Sequence, residues 1–293
     1  MTAPITDFHY GAVTPIAAYL MSCLGSALGL RCTVRSLRRG PRARKVGWLA
    51  LGAMSLGCGI WTMHFVAMMG FSVDGSVVEY DTGMTVLSLL VAIAVTALGV
   101  FLVGYRGSRA RVLATAGVLM GLGVAAMHYL GMAAMNVHGT VHYDSLTVAL
   151  SVLIAVGAAT AALWAAVSIR GLWASFGAAL VMGVAVTGMH YTGMAAVSVH
   201  LGQDGAQQSG SSVELLSFLL AMTAGPVVLL IVAAAVVMFD PDLVLGEDEA
   251  RPGPRLEAAP ASAPLPTAAP AGYGQPLPYG HAPAEADGSR SPY

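Results

Sequence analysis

Long apolar segments separated by short polar stretches dominate this chain. Seven of them reach about 20 residues, enough for a helix to cross the hydrocarbon of a bilayer. None has the polar face that a water-exposed helix would show, and glycine and alanine are frequent within them, as in membrane helices that pack closely. The pattern predicts an all-α polytopic membrane protein with spans at Thr14–Leu30, Val46–Met69, Met84–Tyr105, Val112–Met135, Leu146–Ile169, Ser175–Val199 and Val213–Phe239.

Composition and charge agree with this prediction and add an orientation. Of the 293 residues, 56% are hydrophobic and only 10% are charged, outside the balance of a soluble domain. All 14 Lys and Arg lie between spans one and two, three and four, or five and six, or after span seven. The positive-inside rule therefore places the amino terminus outside the cell membrane and the carboxyl terminus in the cytoplasm. Lipid is the first partner that the sequence implies.

The chain changes character at Asp240. An acidic stretch is followed by a Pro/Ala-rich segment up to Tyr293 that has no apolar period. Such a segment buries too little surface to offset the entropy of ordering it. We therefore expect two parts, a seven-helix membrane domain over residues 8–239 and a disordered cytoplasmic tail over residues 240–293.

Three spans carry a histidine followed four residues later by a methionine. The copies read M-H-F-V-A-M at Met63–Met68, M-H-Y-L-G-M at Met127–Met132 and M-H-Y-T-G-M at Met189–Met194. Residues i and i+4 share one face of a helix, so each copy presents an imidazole beside a thioether. A histidine within a membrane span is costly and needs a reason. The pattern indicates a metal site whose candidate ligands are His64, His128, His190, Met68, Met132 and Met194, with Met63, Met127 and Met189 as second choices.

The near-equal spacing of the copies indicates internal repetition. The simplest account is three two-helix units, formed by spans one–two, three–four and five–six, with a seventh helix added. The even spans then run in the same direction and place the three motifs at one depth. Neutral imidazole and thioether donors suit copper, Cu(I) in particular, whereas zinc and magnesium sites usually include thiolate or carboxylate ligands. Duplication and the use of methionine to fill cores are the alternative explanations of the same pattern.

Two tyrosines follow their histidines directly. Tyr129 and Tyr191 could hydrogen-bond an imidazole or a ligand water, the outer role that orients a metal ligand. As aromatic residues near the end of a span they could equally belong to the interfacial belt.

The three motifs resemble those of the MHYT family of bacterial integral membrane sensors, and the third copy, Met189-His190-Tyr191-Thr192, spells the family name. The resemblance covers all seven spans. It implies copper binding near the outer membrane face and a role in sensing oxygen, carbon monoxide or nitric oxide. The first copy departs from the pattern with Phe65 in place of tyrosine, and the second with Leu130 in place of threonine. The positions that match the family motif are Met63, His64, Met127, His128, Tyr129, Met189, His190 and Tyr191.

These observations favour a membrane sensor in which copper binds a diatomic gas or changes redox state and an unidentified cytoplasmic partner receives the signal. Two other functions use the same residues, namely copper transport or delivery, and b-type haem binding with two histidines as axial ligands. No nucleophile–base arrangement or phosphate-binding loop is recognisable, so we do not expect an enzyme. Nothing in the sequence indicates a nucleic-acid partner.

Overall fold

A computed structural model describes residues 4–37, 42–73, 78–137, 139–169, 171–201 and 212–240. It contains seven helices long and apolar enough to cross a membrane, which confirms the predicted fold class. The tail beyond Asp240 lies outside the described residues. The helices are α1 (Val13–Ser36), α2 (Arg42–Met68), α3 (Thr82–Arg106), α4 (Ala110–Ala133), α5 (Ser145–Ser168), α6 (Leu172–Ala195) and α7 (Ser212–Met238).

Six of the helices form a closed ring in chain order. Each of α1 to α6 packs against the next, and α6 packs back against α1. The seventh helix packs on the outside of α2 and α1. In this ring α3 separates α2 from α4, α5 separates α4 from α6, and α1 separates α6 from α2. The even helices therefore occupy equivalent positions around one central axis.

The contact between α1 and α2 is the most extensive in the ring. A β-carbon on Gly25 would lie 2.6 Å from the Cα of Gly59, and one on Gly52 would lie 3.0 Å from the Cβ of Cys32. Small residues at such positions let helix backbones touch, which supplies the van der Waals contact that holds helices together in lipid. The glycine-rich sequence of these two spans thus fixes how α1 joins the ring.

Short antiparallel ribbons close one end of the bundle. Each ribbon joins the residues before an odd helix to the residues after the following even helix, so it ties the ends of one helical hairpin together. This confirms the predicted pairing of spans one and two, three and four, and five and six. The strands are β1 (Ile5–Thr6) with β2 (Ser72–Val73), β3 (Glu79–Tyr80) with β4 (Met135–Asn136), and β5 (Gly139–Tyr143) with β6 (Val197–Leu201).

Equivalent aspartates start α3 and α5. The carboxylate of Asp81 accepts a hydrogen bond of 2.7 Å from the amide of Met84, and that of Asp144 accepts one of 2.9 Å from the amide of Thr147. Each satisfies an amide that the first helical turn leaves unpaired. These caps fix the junction between ribbon and helix.

The strands correct two of the predicted spans. Span four was expected to reach Met135 and span six Val199, but α4 ends at Ala133 and α6 at Ala195. Apolar residues continue past both helix ends because the strands that follow bury Met135, Val197 and Val199. An apolar run by itself does not distinguish a helix from a buried strand.

At the opposite end of the bundle α1 is tied to the residue that follows α7. The guanidinium of Arg35 donates a hydrogen bond of 2.8 Å to the Asp240 carboxylate, and both residues are 7% exposed. Arg35 also lies over the ring of Trp48 on α2, with the guanidinium carbon 5.8 Å from the ring centre. Which side of the membrane this end faces stays a prediction from the basic residues.

Candidate metal centre

Three histidines meet on the central axis, one turn from the strand-bearing end of the even helices. The Nδ1 atoms of His64 and His190 are 3.0 Å apart, those of His64 and His128 are 3.2 Å apart, and those of His128 and His190 are 3.3 Å apart. Each histidine is 1% exposed. Within the described residues this is the one group of three or more His, Cys, Asp or Glu whose donor atoms lie close enough to share an ion.

The ring of helices explains why the three imidazoles converge. Each histidine lies on an even helix, and the three even helices alternate with α1, α3 and α5 around the axis. Residues four and eight positions before each histidine lie on the same helix face. They line a single cavity together, which confirms that these faces point to one axis; they are Leu56, Ile60, Met120, Val124, Met182 and Val186.

Glycine residues make room for two of the imidazole rings. A β-carbon on Gly131 of α4 would overlap Nε2 of His64, and one on Gly193 of α6 would overlap Nε2 of His128. Both glycines stand three residues after a histidine, between it and its methionine. The sequence carries this signal in the two copies that read H-Y-x-G-M, but its meaning depends on which helix lies opposite each glycine.

The three thioethers predicted as ligands come together beyond the histidines. Met68, Met132 and Met194 are each 1% exposed and belong to one apolar cluster at the strand-bearing end, together with Val197 and Val199 of β6. The second-choice methionines Met63, Met127 and Met189 lie instead in the main core of the bundle. The structure thus separates the two sets, with one methionine layer covering the histidines.

The two tyrosines are arranged differently from each other. The Tyr129 hydroxyl forms a hydrogen bond of 2.6 Å with Ser151 Oγ on α5, and it is therefore engaged away from the imidazoles. The Tyr191 hydroxyl is buried and has no hydrogen-bond partner among the described residues, while its ring stacks on Phe8 with the ring centres 5.6 Å apart. Phe65 holds the equivalent place on α2 and packs against Tyr80.

The apolar cavity lies beside the histidines, on the side away from the strands. It has a volume of about 20 Å³, and its wall includes Met189 and four alanines of α5. A cavity of roughly 10–15 Å³ is large enough for one water, but an apolar cavity stays dry. The space therefore suits a small apolar molecule.

The hydrogen-bonding capacity and spacing of the three Nδ1 atoms can be compared with what a metal ion requires. A neutral imidazole carries a proton on only one nitrogen, so three Nδ1 atoms at these distances cannot all donate to one another. A cation at their centre would satisfy all three, and the centre of such a triangle lies about 1.8 Å from each corner, near the roughly 2.0 Å of a metal–imidazole bond. The residues therefore fit a metal ion held by three Nδ1 atoms.

The environment of the other imidazole nitrogens is unusual for a metal site. A metal-bound histidine normally donates its second N–H to a carboxylate, carbonyl or water. The Nε2 atoms of His64 and His128 are buried and have no such partner among the described residues. The two rings are held by packing against glycine backbone rather than by hydrogen bonds.

Comparison with protein families identifies the repeats. The family model described as MHYT, "Bacterial signalling protein N terminal repeat", matches residues 57–116, 121–179 and 183–242. Each match begins at a glycine seven residues before a motif histidine and runs from an even helix through the next odd one. The repeats in the sequence are thus shifted by one helix from the hairpins that the ribbons close.

Three relatives show where such a domain occurs. The bifunctional diguanylate cyclase/cyclic di-GMP phosphodiesterase MucR of Pseudomonas aeruginosa is 43% identical over 66% of this chain and 29% of its own length. The cyclic di-GMP phosphodiesterase NbdA of the same organism is 39% identical over 61% of this chain and 23% of its own. The signaling protein YkoW of Bacillus subtilis is 29% identical over 65% and 24%. The chain thus spans less than a third of these relatives, and no solved structure matches it.

Proposed function

Because the chain belongs to the MHYT family of bacterial signalling proteins, we propose that it senses a diatomic gas or a redox change through copper held by His64, His128 and His190. Its seven spans make it a multi-pass membrane protein, and its family gives it a role in signalling.

The observation that carries the proposal is the buried triangle of Nδ1 atoms, 3.0–3.3 Å on each side. Buried polar atoms normally have hydrogen-bond partners, and leaving one without a partner costs about 1–3 kcal/mol. Three rings whose lone pairs face one another in a membrane protein need a cation or a shared proton at their centre. A metal ion satisfies all three, whereas one proton satisfies them only by being shared.

Copper is favoured by the donors that surround the triangle. The thioethers of Met68, Met132 and Met194 gather one helical turn from the histidines. Soft sulfur beside imidazole selects copper over magnesium or calcium, and a monovalent ion with neutral ligands leaves little charge in the bilayer. When bound, copper would supply a centre that takes up a diatomic gas or an electron.

The stimulus is suggested by the apolar cavity beside the histidines. Its lining of Leu, Ile, Val, Met and Ala accepts an apolar diatomic molecule such as oxygen, carbon monoxide or nitric oxide, and disfavours ions. Residues from α2, α4, α5 and α6 form this wall. A molecule bound there therefore has direct contact with all three helices that carry the histidines.

The signal would travel as a change in how the even helices pack. A stimulus can shift a conformational equilibrium only if it binds the two states differently, and contacts with three helices at once offer that difference. The same helices continue to the opposite end of the bundle, where residues of α1, α2 and α7 form a shared apolar cluster. The relatives named for cyclic-di-GMP enzymes suggest that the receiving cytoplasmic partner makes or degrades this nucleotide.

Metal analysis of the purified full chain tests the proposal. His64→Gln, His128→Gln and His190→Gln should each lower copper per chain at least tenfold, because two imidazoles bind an ion far less tightly than three. His9→Gln is the matched control, since His9 is exposed at the same end of the bundle and should leave copper unchanged. Helical circular dichroism and a single elution peak establish that each variant folds. Equal copper in the wild type and all three variants would refute the site, and zinc in place of copper would refute the metal.

Spectroscopy of the copper-loaded protein tests the stimulus. Carbon monoxide should give an infrared band in the reduced protein that is missing in the three glutamine variants. A protein that binds copper but shows no change with oxygen, carbon monoxide, nitric oxide or redox titration would contradict the sensing half of the proposal while leaving the metal site intact.

Copper transport is the second candidate, and one observation favours it. Met120, Met182 and Met189 line the cavity on the side away from the strands, so sulfur donors lie on both sides of the histidines. Uptake of copper by reconstituted vesicles would support transport over sensing. Haem binding fits less well, because Nδ1 atoms 3.0–3.3 Å apart leave no slot for a porphyrin between two axial imidazoles. An intense Soret band would reverse that judgement.

A further inference from the structure

We propose that His142 and His200 form a second metal site, for a divalent ion such as Cu²⁺, on the ribbon formed by β5 and β6. This site is separate from the buried triangle and does not depend on what the triangle binds. His142 lies on β5 and is exposed, whereas His200 lies on β6 and is partly buried.

The register of the ribbon places both histidines on one face. His142 lies opposite Ser198, and His200 lies opposite Thr140. Directly opposed residues of an antiparallel pair share a face, and residues two apart along a strand return to it. Thr140, His142, Ser198 and His200 therefore project from the same side of the ribbon, with the two histidines on a diagonal.

The distance between the imidazole rings suits a shared ion. Their centres are 4.9 Å apart and their planes are inclined at 83°. With about 1.1 Å from ring centre to nitrogen and about 2.0 Å from nitrogen to metal, two such rings subtend roughly 100° at one ion, close to a tetrahedral angle. The rings of the buried triangle have nearly the same spacing, with centres 4.9–5.1 Å apart.

An unsatisfied nitrogen supports the assignment. Nδ1 of His200 is buried and has no hydrogen-bond partner among the described residues. The hydroxyl of Thr140 lies 3.4 Å from Nε2 of His142, and it offers an oxygen beside the pair. Imidazole donors with an oxygen and water suit Cu²⁺, which binds nitrogen sites more tightly than other divalent ions of its row.

The proposed site and the cluster of Met68, Met132 and Met194 lie on opposite faces of the same ribbon. Val141 and Val199 are opposed on the other face of the ribbon, and Val199 is 1% exposed within the cluster that contains Met68, Met132 and Met194. An ion on the outer face of the ribbon is therefore separated from the methionines by one pair of valines. Occupancy of this site would rigidify the ribbon that covers them.

A copper titration of the full chain tests the second site. Purified protein is first treated with EDTA to remove exchangeable metal, and Cu²⁺ binding is then followed by calorimetry and by electron paramagnetic resonance. The wild type should bind one more exchangeable Cu²⁺ than His142→Ala, than His200→Ala and than the double variant. The double variant should lose no more than either single variant, because removing either ligand destroys a two-histidine site. His9→Ala, which removes an exposed histidine at the same end, should bind as the wild type does.

Other outcomes overturn the proposal. If the single variants bind Cu²⁺ as the wild type does, the pair is not a site. If the double variant loses two equivalents, the histidines bind separately and do not share an ion. Any copper that resists EDTA is counted separately and should be equal in all variants, because none of these substitutions touches the buried triangle.

Discussion

The imidazole of His64 lies against the backbone of Gly131, at a place where a β-carbon would overlap Nε2. His128 has the same relationship with Gly193 on the next even helix. Each of these rings therefore occupies a space near the central axis that is free only because the neighbouring helix has a glycine there. The corresponding position on α2 is Ala67, so the arrangement is not fully threefold.

Gly131→Ala and Gly193→Ala should each displace an imidazole and lower copper content at least fivefold. The added methyl group overpacks a buried site, which costs about 1–3 kcal/mol. Gly188→Ala on α6 is the matched control, because its β-carbon would meet nothing within 4 Å, and alanine suits a helix better than glycine. Copper per chain and thermal stability measure the effect. Full copper in both glycine variants would mean that the rings are not held by these gaps.

Filling the cavity should separate ligand binding from metal binding. Ala159→Leu adds a branched side chain to the cavity wall, and it should weaken carbon monoxide binding at least tenfold while copper content stays within twofold of the wild type. Ala161→Leu on the same helix is the control, since Ala161 is exposed on the lipid side of α5. Infrared titration of the reduced protein gives the comparison. Equal affinity in the two variants would show that the gas does not use this cavity.

The buried ion pair between Arg35 and Asp240 should govern the stability of the end opposite the strands. Arg35→Met or Asp240→Leu alone leaves a buried charge, and each should destabilise the fold by about 3–5 kcal/mol. The double variant should recover most of that loss, because no buried charge remains. Arg109→Ala, at an exposed position of the same end, should change stability by less than about 0.5 kcal/mol. Unfolding in detergent measures all four, and additive losses in the double variant would contradict the pairing.

Two aspartates at the strand-bearing end should give opposite pH dependence. Burial raises the pKa of Asp7, whereas hydrogen bonds from the side chain and then the amide of Thr147 lower the pKa of Asp144. A carboxyl group whose pKa is raised on folding stabilises the fold at pH values below its unfolded-state pKa of about 3.9. This contribution is lost as the pH rises through the folded-state pKa. A carboxyl group whose pKa is lowered on folding stabilises the fold at pH values above its unfolded-state pKa, and this contribution is lost as the pH falls through the folded-state pKa.

Melting temperatures between about pH 3 and pH 6 check these signs. Relative to the wild type, Asp7→Asn should gain stability as pH rises, because it removes a carboxyl group that resists ionisation. Asp144→Asn should lose stability over the same range, because it removes one that ionises readily. Parallel curves for the two variants and the wild type would contradict both assignments.

The sequence predicted the helices well and the strands not at all. Spans of about 20 apolar residues determine a transmembrane helix almost by themselves, since lipid offers no other partner for the backbone. The ribbons were missed because Val197 and Val199 extend the apolar run of α6 beyond its end at Ala195. The sequence does hold a signal for them: V-E-Y-D at Val78–Asp81 and V-H-Y-D at Val141–Asp144 are similar, and each contains the end of a strand, β3 or β5, followed by the aspartate that caps α3 or α5.

The histidines could be predicted as a set, but their geometry could not. Equal spacing and a common helix direction indicated one depth for His64, His128 and His190. The three histidines face one axis because of the order of the helices around the ring, and the hydropathy pattern carries no information about that order. The role of Gly131 and Gly193 depends on contacts between helices that are about 60 residues apart in the chain.

The closure of the ring by α1 has a consequence for biosynthesis. Helix α1 is synthesised first but packs against α6. It can pair with α2 as soon as α2 is inserted, whereas its contact with α6 forms only after α6 has entered the bilayer. His190 lies near the end of that sixth helix, and the three nitrogens cannot assemble before it leaves the translocation machinery. The proposed copper site can therefore be completed only late in maturation, and a nascent chain halted after α5 should not retain copper.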